Sequence, residues 1–227
     1  MRGVSECDVL VVGLGPAGAC AAAEAARRGA RVIAIDRKAE AGVPVQCAEF
    51  VPRLIGMEIE GLAGVRRQDI TAMATYVDAG SPQIEPQFPG VMIDRAAFDS
   101  DLVARARLAG VQCRLGTSVR CIDEAGVATL SDGTLISSRV VIGADGPRSV
   151  VGKAVGAQNA EIAETRQIKV PLIETFAATD IYLSAAIPGG YAWLFPKGDV
   201  ANLGLGVAPP WRHLLKPLLD DLHARLV

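Results

Sequence analysis

The chain has 227 residues, half of them hydrophobic and 21% charged, which is enough apolar material for a sizeable core and excludes wholesale disorder. A net charge of −2, no long basic run and an aromatic content of 4% argue against a nucleic-acid surface, which rests on clustered Lys and Arg. The five cysteines (Cys7, Cys20, Cys47, Cys113 and Cys121) include no C-x-x-C pair and the two histidines lie far from most of them, so no metal site is expected and the thiols read as reduced, as in a cytoplasmic protein.

Cys7 to Val12 is a β-branched apolar run that reads as a buried parallel strand. Pro16 to Arg28 is an alanine-rich helix stopped by Gly29, and Arg31 to Ile35 is a second short strand. The stretch Val9 to Ala26 is nearly all apolar or small, but Glu24 and the breaks at Gly13, Gly15, Pro16 and Gly18 fit strand, turn and helix better than a signal peptide or a membrane span. Residues 36–68 read as loops with a short helix. Ile70 to Val77 and Gln87 to Ile93 read as strands. Arg95 to Ala109 reads as a helix with Phe98, Leu102, Val103 and Leu108 near one face and Asp94 placed to cap it.

Val111 to Ile122 and Val127 to Leu130 read as strands, Asp132-Gly133 as a two-residue hairpin turn, and Thr134 to Ile136 as the returning strand. A separate buried strand is expected at Arg139 to Ile142. Beyond about residue 160 the strands Ile168–Ile173, Asp180–Ala186, Tyr191–Phe195 and Ala201–Val207 follow at short intervals, which points to an antiparallel sheet of a second domain. Trp211 to Leu222 reads as a terminal helix.

Gly13-Leu14-Gly15-Pro16-Ala17-Gly18 has the spacing G-x-G-x-x-G. The first glycine permits a tight turn, the second lets a pyrophosphate approach the backbone, and the third allows close packing of helix on strand. The helix that follows aims free N–H groups and the positive end of its dipole at the phosphates. Asp36, at the end of the second strand, stands where an acid hydrogen-bonds the ribose of an adenosine.

Gly143-Ala144-Asp145-Gly146-Pro147-Arg148-Ser149 follows another apolar strand and is good turn chemistry in its own right. It resembles the D-G motif of FAD-dependent hydroxylases, in which the aspartate lies near the FAD pyrophosphate. Pro44-Val45-Gln46-Cys47, Asp94-Arg95 with Phe98-Asp99, and Tyr191-Ala192-Trp193-Leu194-Phe195-Pro196 followed by Gly204-Leu205-Gly206 resemble, in the same order, the P-x-x-C, D-R-x-x-F-D and Y-x-W-x-F-P…G-x-G segments of the geranylgeranyl reductase family. The resemblance covers nearly the whole chain.

The resemblance implies an α/β fold: a Rossmann-like, hydroxylase-type FAD-binding domain over residues 1–160, with residues 70–95 contributing to an antiparallel-sheet substrate domain completed in part by residues 161–227. It implies FAD contacts at Gly13, Gly15, Pro16, Ala17, Gly18, Asp36, Arg37, Cys47, Ala48, Arg95, Val119, Asp145 and Gly146. It also implies a prenyl or lipid substrate beside Tyr191, Trp193, Phe195, Gly204 and Gly206, and reduction of isolated C=C bonds by hydride from reduced flavin. Cys47 and Tyr191 are the candidate catalytic side chains. Reduced nicotinamide or ferredoxin is the implied electron donor, and contact with a membrane is peripheral.

Read without the resemblance, Cys47 is a small buried hydrophobe and the alternating aromatics are a sheet face packed in the core. A flavin monooxygenase or a quinone-linked electron-transfer flavoprotein shares the FAD motifs without the aromatic segment. One family feature is missing: a second FAD motif of G-D-x-x-G type. The chain ends at Val227, near where it would fall, so an incomplete substrate domain, or a non-catalytic FAD-binding fragment, is also expected.

Overall fold

The structure, a computed structural model, describes residues 4–53 and 62–226. In chain order the elements are β1 (Ser5–Val12), α1 (Pro16–Arg27), β2 (Val32–Ile35), β3 (Phe50–Pro52), α2 (Leu62–Val65), β4 (Arg66–Ile70), β5 (Ala72–Val77), β6 (Gln83–Glu85), β7 (Gly90–Ile93) and α3 (Arg95–Leu108). There follow β8 (Gln112–Arg114), β9 (Val119–Ile122), β10 (Val127–Leu130), β11 (Leu135–Gly143), α4 (Val150–Ala154), β12 (Glu164–Pro171), β13 (Ala178–Leu183), β14 (Ala192–Lys197), β15 (Val200–Val207), a 3-10 turn (Pro209–Leu214) and α5 (Leu215–Leu226). The described residues fall into two compact units: residues 4–45 with 95–160, and residues 46–53 and 62–94 with 161–226.

The first unit is built on a sheet of order β8-β2-β1-β11-β10-β9. β8, β2, β1 and β11 run parallel, while β10 and β9 extend the sheet antiparallel. Parallel strands covered on both faces need continuous apolar runs, and Leu10, Val11, Val12, Ile33, Ala34 and Ile35 are all buried. Ala19, Ala22 and Ala23 are the buried residues of α1, and their small side chains let the helix lie close to the sheet. The helix ends where Gly29, at φ +88°, donates to the Ala26 carbonyl, a conformation that glycine adopts without a Cβ penalty. α3 buries Phe98, Leu102, Val103 and Ala106 along one face.

Two strand expectations change here. The strands expected at Thr134–Ile136 and Arg139–Ile142 fall on one strand, β11, which starts at Leu135. Its start pairs antiparallel with β10, and from Ile136 to Gly143 it runs parallel to β1. The polar Ser137-Ser138-Arg139 run reads as a break but lies within the β1 ladder, and Ser137 also pairs with β10. Conversely, Val111–Ile122 is two strands, β8 and β9, at opposite edges of the sheet. The chain leaves the first edge at Gly116, at φ +70°, whose N–H donates to Lys38 O.

The second unit holds a sheet of order β12-β15-β14-β13-β5-β6 and a smaller antiparallel sheet, β3-β7-β4. The larger sheet is mixed rather than antiparallel throughout, because β13 runs parallel to β5. The run Ile70–Val77 is divided: β4 ends at Ile70 in one sheet and β5 starts at Ala72 in the other, with Thr71 N–H bonded to Ala177 O at 2.8 Å. One face of the larger sheet packs Ala192, Leu194, Leu203, Leu205 and Val207 with Leu219 and Leu222 of α5. Trp193 and Phe195 alternate with these residues and therefore project to the other face. Among the described residues no helix is long and apolar enough to cross a membrane.

Candidate functional site

In the first unit, three connections converge at the carboxyl ends of β1, β2 and β11. Gly13 N–H donates to Ile35 O at 2.8 Å, and Ala144 N–H to Val12 O at 2.7 Å. Gly13 has φ +97°, and a Cβ there would stand 2.2 Å from the Ala144 carbonyl oxygen. A Cβ on Gly18 would stand 1.9 Å from Gly13 O, so this position serves the packing of α1 on the turn. Gly15 is different: no other atom lies within 4 Å of where its Cβ would be. Gly15 opens α1, with Pro16 at the first helical position and no side-chain cap. The positive end of the helix dipole therefore adjoins the open side of the turn.

Asp36 is tied into this turn. Its Oδ2 accepts from Leu14 N–H at 2.6 Å and its Oδ1 from Lys38 N–H at 2.8 Å. The neighbouring Arg37 is exposed. Asp145 accepts from Val150 N–H at 2.6 Å and from Ser149 Oγ, whose oxygen in turn accepts from Gly152 N–H at 2.7 Å. The Asp145-Gly146 turn is thus fixed by the start of α4, and Gly146 adopts φ +85°. Gly13, Gly15, Pro16, Ala17, Gly18, Asp36, Asp145 and Gly146 come together. Two other residues named for the cofactor have local partners: Arg95 Nε pairs with the buried Asp99 at 2.6 Å, and Val119 packs in the sheet core.

In the second unit, the segment Cys47-Ala48-Glu49 lies against the larger sheet, held residue by residue. Gln167 Nε2 donates to Cys47 O at 3.2 Å, and Asn202 Nδ2 donates to Ala48 O at 2.9 Å. Asn202 Nδ2 also reaches Glu49 Oε2 at 3.0 Å, and Lys197 Nζ lies 2.7 Å from Glu49 Oε1. The Glu49 and Lys197 side chains are only 1% and 9% exposed, so this is a buried ion pair. Glu49 sits at φ +70°, and its N–H donates to Cys47 Sγ at 3.2 Å.

The aromatic segment faces the same side. Trp193 Nε1 donates to Gln167 Oε1 at 2.9 Å. Tyr191 is 47% exposed, with its ring edge-on to Trp193 at 5.9 Å. Phe195 meets Phe50 edge-on at 6.2 Å, and Phe50 stacks on Phe88 at 5.3 Å. Gly204 pairs directly with Trp193 across the strands, and a Cβ on it would stand 2.4 Å from the indole. Gly206 carries the carbonyl that Gly190 approaches so closely that a Cβ there would stand 1.9 Å away. Sequence reasoning missed Gln167, Lys197 and Asn202. The available signal was the presence of Lys197 and Asn202 within otherwise apolar strands.

A glycine turn, an acid at the end of the second strand and an Asp-Gly turn, all at the carboxyl ends of parallel strands, define a dinucleotide-binding α/β protein. The sequence model described as the FAD binding domain matches residues 6–182, and that of the geranylgeranyl reductase catalytic domain matches residues 163–221. The first of these matches spans most of the chain, which therefore belongs to the FAD-binding-domain family.

Similar proteins include the digeranylgeranylglycerophospholipid reductases 2 of Methanopyrus kandleri (37% identical, covering 89% of this chain and 55% of the relative) and Methanosphaera stadtmanae (34%, covering 89% and 57%). The chain therefore spans little more than half the length of these relatives. The crystal structure of a geranylgeranyl bacteriochlorophyll reductase-like protein from Thermoplasma acidophilum superposes with TM-score 0.87 at 28% identity, over 99% of this chain and 63% of that one. PqsL of Pseudomonas aeruginosa, at 18% identity and TM-score 0.71 over 98% of this chain and 66% of its own, shares the fold.

Proposed function

We propose that this chain binds FAD and belongs to an enzyme that reduces isolated C=C bonds of a prenyl chain carried by a lipid. The observation that carries the reading is the open side of Gly15 at the uncapped start of α1, braced by Gly13 against Ala144. That cradle fits a pyrophosphate: it leaves room where a Cβ would block approach and presents N–H groups and dipole to negative charge. Asp36 would hold the adenosine ribose, and the Asp145-Gly146 turn would flank the phosphates. Arg37, Cys47, Ala48, Arg95 and Val119 complete the proposed cofactor contacts.

FAD, when bound and reduced, supplies hydride to the substrate. The protein's task is to orient an unactivated alkene and to keep water away from it. Trp193, Phe195 and Phe50 offer an apolar wall for this, as the names of the lipid-reducing relatives suggest. Gly204 keeps the surface beside Trp193 flat, and Gly206 continues it. Cys47 and Tyr191 are the proposed proton carriers, Tyr191 being the more exposed. Electrons come from reduced nicotinamide or a ferredoxin. A substrate of this kind resides in a bilayer, so the enzyme would work in peripheral contact with a membrane.

The test is a visible absorption titration of the purified chain with FAD, followed by anaerobic incubation of the dithionite-reduced protein with a geranylgeranyl lipid. Flavin bands that shift on binding and a product heavier by two hydrogens per reduced bond are expected. A chain that leaves the FAD spectrum unchanged would overturn the cofactor reading. Oxygen consumption with hydroxylated product would overturn the reductase reading in favour of a monooxygenase.

A further inference from the structure

Gln167, Gly204 and Trp193 form a row across three adjacent strands: Gln167 is opposite Gly204, and Gly204 is opposite Trp193. The missing side chain at Gly204 lets the indole lie across β15 and reach the amide on β12. There the Gln167 amide is used at both ends. Its oxygen accepts from Trp193 Nε1 at 2.9 Å, and its nitrogen donates to Cys47 O at 3.2 Å. An indole N–H can only donate and a carbonyl can only accept, so the two partners fix the amide's orientation. Glutamate offers no donor for Cys47, leucine offers neither group, and asparagine is one methylene short.

We infer that Gln167 is a positioning residue that locks the Trp193 ring and the Cys47 backbone into one register, making the aromatic wall and the Cys47 segment a single unit. This deepens the reading above, in which Trp193 lines the prenyl site and Cys47 lies by the flavin, and rests on it for its role in turnover. The segment that follows is pinned independently through Asn202 and Lys197, so loss of Gln167 releases the Cys47 carbonyl without releasing Glu49, and leaves the Glu49 N–H to Cys47 Sγ contact as the remaining hold on the thiol.

The experiment uses the full chain carrying Trp211→Phe, so that Trp193 is the remaining tryptophan. Trp193 emission and peptide-resolved iodoacetamide labelling of Cys47 are measured for the parent, Gln167→Glu and Gln167→Leu. With Gln167→Leu we expect Cys47 labelling to rise about 2- to 10-fold, the range set by losing one hydrogen bond, and the indole emission to shift. With Gln167→Glu we expect faster labelling with parental emission, because the acceptor for the indole is retained.

Trp193→Phe, which keeps a ring but removes the N–H, should also speed labelling and covers the case in which a Gln167 variant fails to fold. Parental labelling rates in all the folded variants would overturn the inference. In the holoenzyme, a positioning role lowers kcat more than it raises KM. An equal labelling effect in a chain that fails to bind FAD would sustain the Gln167 assignment and defeat the functional reading instead.

Discussion

Gly13 stands so close to Ala144 that a Cβ on it would lie 2.2 Å from the Ala144 carbonyl oxygen, which ties the glycine turn to the Asp145-Gly146 turn. The two glycines of the G-x-G pair therefore do different work, and their alanine variants separate it. Gly13→Ala combines this clash with φ +97° and should cost about 2–4 kcal/mol of stability in urea unfolding. Gly15→Ala meets open space at φ −68° and should change stability by less than about 0.5 kcal/mol. Its effect should fall on FAD affinity, with a loss of roughly tenfold or more in the absorbance titration, since a methyl group would occupy the approach to the phosphates. Unaltered FAD affinity in Gly15→Ala would mean that the pyrophosphate does not pass this residue.

The Glu49–Lys197 pair is a second test of internal architecture. Removing one member of a buried pair deprives the other of its counter-ion in a site shielded from water, so Glu49→Gln and Lys197→Met should each lose about 3–5 kcal/mol. The double variant strands no charge and should recover most of the loss. Equilibrium unfolding of the three variants decides the matter, and simple additivity of the two losses would rule out direct coupling.

Local signals made some of the fold readable and hid the rest. β1, α1 and β2 are legible because a buried parallel strand, a glycine turn and an alanine helix each leave a compositional mark. The Asp132-Gly133 hairpin is legible because its turn needs Gly133 at φ +81°. The continuity of β11 is not, since Ser137 and Ser138 are polar residues held in a ladder by partners more than 100 residues away in β1. The parallel pairing of β13 with β5 is likewise a matter of topology, not of pattern. In the candidate site the glycines and Asp36 could be read from spacing. Lys197 and Asn202 could not be matched to Glu49, because a lysine or an asparagine in a strand reads as solvated until its partner is known.

Gly204 and Trp193 should compensate for one another. Gly204→Ala places a methyl group 2.4 Å from the indole and should cost about 1–3 kcal/mol, because the ring must leave its seat. Trp193→Leu alone leaves a void over Gly204 and should cost about 3 kcal/mol. Together they should be less damaging than the sum, as the smaller side chain makes room for the methyl group. Thermal unfolding of the four proteins measures the coupling, and strictly additive losses would show that the two residues do not pack as described.

Asp180 gives a pH dependence of defined sign. It lies two residues from Tyr182 on β13, and the Tyr182 hydroxyl donates to it at 3.4 Å while the Tyr182 ring stacks on Tyr76 at 5.0 Å. Burial pushes its carboxyl up to about 6, with the Tyr182 hydrogen bond working against the shift, and burial also raises Tyr182. A carboxyl raised on folding favours the protonated native state. Its contribution is complete below the unfolded value of 3.8 and is lost as pH rises through about 6. Above that, the native state holds a partly desolvated carboxylate. Asp180→Asn, which keeps an acceptor for Tyr182 but cannot ionise, should therefore be more stable than the parent at pH 8 by about 1 kcal/mol, reduced from the full linkage value because the group retains contact with solvent. The advantage should shrink through pH 6 and vanish near pH 4. Urea unfolding at the three pH values tests this, and a difference that does not change with pH would show that Asp180 titrates as an ordinary surface acid.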